Sequence, residues 1–108
     1  MHPKEVIFYR DASGREPFQD WLMGLRDGRT RRRILSRLLR VEQGNYGDYK
    51  ALKDGVFELR FSFGSGYRVY FGEDGDTIVV LLCGGDKRTQ SRDIEQAKAY
   101  WQEYLDHV

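Results

Sequence analysis

The residues with the clearest chemical potential in this 108-residue chain are cations placed at the ends of apolar segments. Arg60 follows "FEL", Arg68 follows "GY", and Lys87 and Arg88 follow "LLCGGD". An arginine fork meets two phosphate oxygens at once and stays charged, and a lysine supplies a compact second charge. If the three segments are neighbouring strands, about 4.8 Å separates each from the next, so the four cations can converge on one phosphate-sized patch. Gly84 and Gly85 would let the chain turn sharply off the sheet ahead of Lys87, aiming both cations and leaving the backbone open to a ligand. The competing reading is surface pairing, with Glu58 or Asp86 neutralising Arg60 and Arg68.

The elements that must position these residues follow from periodicity. "EVIFYR" (5–10) alternates and is rich in β-branched and aromatic residues, as strands are. Phe18, Trp21, Leu22 and Leu25 recur at i, i+3, i+4 and i+7, one face of a helix that tolerates Pro17 in its first turn. A second helix, with Thr30 as its N-cap, carries Ile34, Leu35, Leu38 and Val41 inward and ends near Gly44, leaving a basic face in water. "NYGDYKALKDG" reads as a loop. "VFELRFSF" and "YRVYF" then form a hairpin across the "GSG" turn at 64–66, which no helix follows and which is therefore not a phosphate-cradling loop. Asp74-Gly75 signals the next hairpin, and "TIVVLLCG" has the near-continuous apolar run of a strand buried on both faces. A last helix starts at Thr89 or Ser91 with Ile94, Ala97, Trp101, Tyr104 and Leu105 on its apolar side. The expectation is one α+β domain over residues 1–108, ordered βααβββα. Its antiparallel-rich four-stranded sheet is covered by helices on one face and free for work on the other.

Composition limits the possible functions. No apolar run approaches the roughly 20 residues of a membrane span, and no secretory-type N-terminal segment is visible, so a cytoplasmic protein without a membrane partner is expected. The single cysteine, Cys83, closes an apolar strand and reads as a small buried hydrophobe; no Cys/His spacing suits a metal, His2 and His107 lie at opposite ends, and no metal or cofactor is expected. The net charge of +1 hides a division: residues 26–70 carry eleven Lys/Arg against five Asp/Glu, and residues 71–108 carry four against eight. Six arginines lie in "RTRRRILSRLLR" alone. That asymmetry points to a polyanion at one face, although a basic helix face also serves plain solubility.

The stretches "LKDGVFELRFSFGSGYRVYF" and "LLCGGDKRTQSRDIEQAKAY" resemble the RelE/HigB-like toxins of bacterial toxin–antitoxin modules, in particular the compact addiction-module killer proteins of phage-related origin. The resemblance covers about Leu52 to Tyr100, and the preceding strand and two helices fit the same RelE-like plan. It implies an endoribonuclease that cleaves messenger RNA, in many members on the ribosome, and is silenced by a cognate antitoxin, a small DNA-binding protein encoded beside it. By position, Arg68 matches the arginine that contacts the scissile phosphate, Arg60 a basic strand residue used in catalysis, and Lys87 or Arg88 a C-terminal active-site arginine. Glu58 stands where some members have a lysine, no tyrosine occupies the region of Ile94, and the histidine-bearing site of other members is absent.

Metal-independent RNA cleavage uses the neighbouring 2′-hydroxyl as nucleophile, so the protein must align it, offset charge on a pentacoordinate phosphate and move two protons. Arg60, Arg68, Lys87 and Arg88 suit the charge, while Lys87, Glu58, Tyr67 and Tyr70 are candidate proton carriers. Tyr67 and Tyr70 are also candidate base-stacking platforms, though as strand aromatics they suit a core better. Arg31, Arg33, Arg37, Lys53 and Glu58 complete the expected RNA-contacting set. A non-catalytic module of the same fold, binding nucleic acid or an antitoxin, is the alternative.

Overall fold

The structure is a computed structural model that describes residues 3–108, so His2 lies outside the described residues. In chain order the elements are β1 (Glu5–Phe8), α1 (Pro17–Gly24), α2 (Gly28–Glu42), β2 (Tyr49–Ala51), β3 (Val56–Arg60), β4 (Arg68–Asp74), β5 (Ile78–Gly85) and α3 (Gln90–Asp106), with single 3-10 turns at Lys53–Gly55 and Lys87–Thr89. The expected order is present with one strand added. β2 lies in the segment expected to be a loop, where it pairs antiparallel with β3 through Tyr49–Leu59, Lys50–Glu58 and Ala51–Phe57. The sheet therefore has five strands, ordered β1-β5-β4-β3-β2, antiparallel except for β1, which runs parallel to β5.

The helices do not share one face. Phe18, Leu22, Ile34, Leu38 and Val41 from α1 and α2 pack with Leu59, Val69, Phe71, Val79 and Leu81 on one side of the sheet. Ala97 and Trp101 of α3 pack with Val56, Tyr70, Val80 and Leu82 on the other. This corrects the expectation of a free second face, and the cause is β5 itself. Val80 and Leu82 alternate with Val79 and Leu81, and each apolar side chain left in water would forfeit about 1.5–3 kcal/mol.

Close approach of the layers depends on two glycines in the sheet. A Cβ on Gly72 would fall inside the indole of Trp101, and one on Gly84 inside that of Trp21. Gly84 and Gly85 are strand residues of β5, not a flexible exit from it, so they do not act as the expected hinge. An irregularity opposite Tyr70 and Phe71 lets Leu82 and Cys83 both face α3, after which Gly84 meets Trp21 and Gly85 meets Asp93.

Helix ends also differ from expectation. Asp27, not Thr30, caps α2 by accepting from the Arg29 amide at 2.9 Å, and the helix starts at Gly28. Leu35 and Leu105, expected inward, are exposed.

Candidate functional site

β3 and β4 place Arg60 opposite Arg68 and Glu58 opposite Tyr70, all four on the face that α3 covers. Arg68 is held among three acceptors. Its Nη1 donates to the carbonyls of Gly66 (3.1 Å) and Tyr67 (3.2 Å), and its Nε lies 3.9 Å from Glu58 Oε1. Glu58 is only 1% exposed, and its other oxygen accepts from Gln90 Nε2, the first residue of α3, at 2.8 Å. Arg68 is 8% exposed and is therefore a buried residue, not the surface arginine implied by a solvent-facing strand.

The 64–66 turn and the 86–88 turn are fastened together. Ser65 Oγ donates to Asp86 Oδ2 at 3.1 Å, and the Lys87 amide donates to the Ser65 carbonyl at 3.4 Å. Gly66 sits at φ +76, a conformation open to glycine, and the Lys87 methylenes lie against it so closely that a Cβ there would be 2.8 Å from Lys87 Cγ. The Gly66 carbonyl thus touches Arg68 while its Cα supports Lys87. These contacts bring the two expected cations to one loop. Among the described residues Lys87 has no ion pair, whereas Arg88 is bound to Asp86 at 2.9 Å with its side chain 82% exposed. The side-chain hydrogen bond from Arg88, with the Ser65 hydroxyl contributing, holds the Asp86 carboxyl below its ordinary pKa. Arg60 lies 3.5 Å from Asp48.

Among the described residues, three buried donors around this cluster have no partner at hydrogen-bond geometry: Arg60 Nε, Arg68 Nε and the Tyr70 hydroxyl. Such groups are rare in folded proteins, because each forgoes hydration without recompense. Two of them face the same buried carboxylate: Arg68 Nε lies 3.9 Å from Glu58 Oε1, and Glu58 is close enough to the Tyr70 hydroxyl to raise its pKa. Burial first, and then the nearby Glu58 carboxylate, push the Tyr70 phenol well above its usual pKa, so it stays neutral and acts as a donor, not a base.

The remaining expected contacts divide by environment. Arg31 donates to the Leu25 carbonyl, closing the α1–α2 junction. Arg37 spends its guanidinium on the carbonyls of Tyr46, Asp48 and Arg60 at 2.7–3.0 Å, and burial lowers its pKa; it joins α2 to the sheet edge. Tyr70 is fully buried and offers no ring face to a base, which corrects its role as a stacking platform. Tyr67 is half-buried between Trp21 and Phe63. Lys53 is exposed in the turn before β3, the length of that strand away from Arg60. Arg33 is exposed, with its guanidinium 3.7 Å above the ring centre of Phe63. Cys83 is buried beside α3, and burial pushes its thiol up to about 12, consistent with a packing role. Gln90 and the Ser65–Asp86 bond were not anticipated. Their only trace in the sequence is that Gln90 directly follows the "GGDKRT" run, since their roles depend on partners 32 and 21 residues away.

No helix among the described residues is long and apolar enough to cross a membrane. The chain is 49% identical over 86 residues, 80% of its own length and 87% of the relative's, to an uncharacterized protein of Haemophilus influenzae. Residues 20–102, which hold every cation of the cluster and all of α2, match the family described as phage derived protein Gp49-like. The chain belongs to the Gp49-like family of phage-derived proteins, a family associated with addiction-module killer toxins.

Proposed function

We propose that this chain is the toxin of a toxin–antitoxin module and acts as an endoribonuclease on messenger RNA, with the ribosome as the place where the message is presented. The observation that carries this reading is the exposed ammonium of Lys87, without an ion pair among the described residues, packed against the Gly66 turn whose carbonyl anchors the Arg68 guanidinium. Attack of the 2′-oxygen on the adjacent phosphorus, with its proton passing to solvent water, forms a 2′,3′-cyclic phosphate and expels the 5′-oxygen. The phosphate gains negative charge on the way, and preorganised donors at that point are the largest catalytic lever. Arg68, fixed by Glu58 and the Gly66 carbonyl, would meet the phosphate with an orientation that needs no reordering. Lys87, exposed at the mouth, is placed to give its proton to the departing 5′-oxygen. Arg88, bound to Asp86, would steer the RNA backbone.

The cognate antitoxin is proposed to cover the same cations with an acidic or extended segment, since one electropositive patch serves both anions. RNA binding would then be lost at saturating antitoxin. A second reading, binding without cleavage, is favoured by one observation: Glu58, the carboxylate best placed to take the 2′-hydroxyl proton, is enclosed by Arg68 and Gln90.

Single-turnover cleavage of messenger RNA, with and without ribosomes, separates the two. Under the ribonuclease reading the parental chain cuts, and Lys87→Ala loses at least about 100-fold in rate at saturating RNA while melting normally. Arg88→Ala should lose affinity in a salt-dependent way and keep its saturated rate. A parental chain that binds RNA yet neither cuts it nor arrests growth on induction supports the binding-only reading and refutes the enzyme.

A further inference from the structure

A second basic feature lies outside the cluster that faces α3. Between α2 and the chain that leaves β3 runs a cleft of about 410 Å³, open to solvent rather than enclosed. Arg33, Ser36, Arg37 and Arg40 line it from α2 at positions i, i+3, i+4 and i+7, one face of that helix, and Ser62 and Phe63 contribute from the other side. Four arginines reach the lining, and Asp48 is the single carboxylate among them.

The arginines are not equivalent. Arg37 gives four hydrogen bonds to backbone carbonyls, and Arg60 stands 3.5 Å from Asp48. Arg33 and Arg40 have no ion-pair partner among the described residues. Phe63 lies beneath the Arg33 guanidinium at 3.7 Å, which fixes the plane of the fork without using its N–H groups. At 1.5 Å rise per residue, Arg33 and Arg40 are roughly 10 Å apart along the helix axis, too far to grip a single phosphate. Two separate cations along an open trough, with serine hydroxyls between and opposite them, suit a chain of phosphates.

We infer that this cleft is a backbone-binding subsite for single-stranded nucleic acid, in which Arg33 and Arg40 each contact a different phosphate. The inference builds on the ribonuclease reading: Arg60 borders both the cleft and the α3-facing cluster, so a strand lying in the cleft is led over Arg60 toward Arg68 and Lys87. The subsite reads phosphate and not base, because the two rings that line the cleft are covered, Phe63 by Arg33 and the buried Phe61 by Arg37.

The test is the salt dependence of binding of fluorescent single-stranded RNA and single-stranded DNA of equal length to the full chain. Each phosphate contact contributes about 0.7 to the slope of log affinity against log salt on a single strand, so Arg33→Ala/Arg40→Ala should lower the slope by about 1.4 for both polymers. Arg15→Ala/Arg26→Ala removes the same charge outside the cleft and should leave the slope unchanged. Both variants alter exposed side chains, and melts confirm their folding. An unchanged slope in the cleft variant, an equal fall in the control variant, an effect confined to RNA, or a parental chain with no affinity for either strand overturns the subsite. A cleft variant that loses only its affinity for a protein partner does the same. The underlying reading fails separately: binding with the expected slopes but no cleavage keeps the subsite and removes the nuclease, whereas cleavage by the parent with unaltered slopes in the cleft variant does the reverse.

Discussion

Truncating Arg68 should first be felt as a loss of stability. Glu58 is 1% exposed and, among the described residues, its ion-pair partner is Arg68, at 3.9 Å, so Arg68→Ala strands a carboxylate inside the protein. Breaking a buried pair by deleting one partner costs about 3–5 kcal/mol. The lower end applies here, because the pair is outside hydrogen-bond distance and Gln90 still donates to Glu58 at 2.8 Å. About 3 kcal/mol in a domain of this size, at about 4 °C per kcal/mol, lowers Tm by roughly 12 °C. Removing both charges should recover much of that loss, since the penalty belongs to the unpaired carboxylate. Thermal melts of Arg68→Ala, Glu58→Gln and the double variant close the cycle, with a coupling of at least about 1 kcal/mol expected. Under the ribonuclease reading, a loss of cleavage in Arg68→Ala would therefore not by itself report a phosphate contact, and Arg68→Lys, which keeps the charge while losing the planar fork, is the sharper probe. If Arg68→Ala melts within about 3 °C of the parent, or the two single effects simply add, Glu58 does not depend on Arg68 and the argument from burial is wrong.

Two further outcomes follow from the same contacts. Gly84→Ala places a methyl group in the Trp21 indole and Gly85→Ala one on the Asp93 carboxylate, so each should lower the urea midpoint by the equivalent of about 1–3 kcal/mol; unchanged midpoints would mean that the layers do not meet as closely as described. The Asp86 carboxyl titrates below its ordinary value because Arg88 donates to it, so its contribution is present above the unfolded pKa of about 3.9 and lost as pH falls through the lower folded value. Asp86→Asn should therefore narrow the stability gap to the parent in acid and widen it toward neutrality, and parallel acid and neutral denaturation curves would contradict the assignment.

Local pattern determined a good deal of this protein. The order of strands and helices, the hairpins at Gly64–Gly66 and Asp74-Gly75, and the burial of Trp101 and Cys83 all follow from periods of 2 and 3.6 and from turn chemistry, which act over a few residues. The approach of the Lys87 turn to the Gly66 turn ahead of Arg68 follows from the same local pattern, since both turns lie at the same end of adjacent antiparallel strands. Only the tertiary structure decided what covers each face. Alternation in β3, β4 and β5 separates two sets of side chains but does not say which helix seals which set, so α3 closing over Glu58 and Tyr70 was invisible. The same holds for β2, whose Tyr49, Lys50 and Ala51 are exposed and acquire strand geometry from the backbone of β3, not from their own propensity. It holds most strongly for the arginines. Arg31, Arg33, Arg37 and Arg40 are alike in the chain, yet backbone carbonyls take up Arg31 and Arg37 as structural links while Arg33 and Arg40 have no ion pair among the described residues, because a guanidinium's availability depends on what already occupies its five N–H groups.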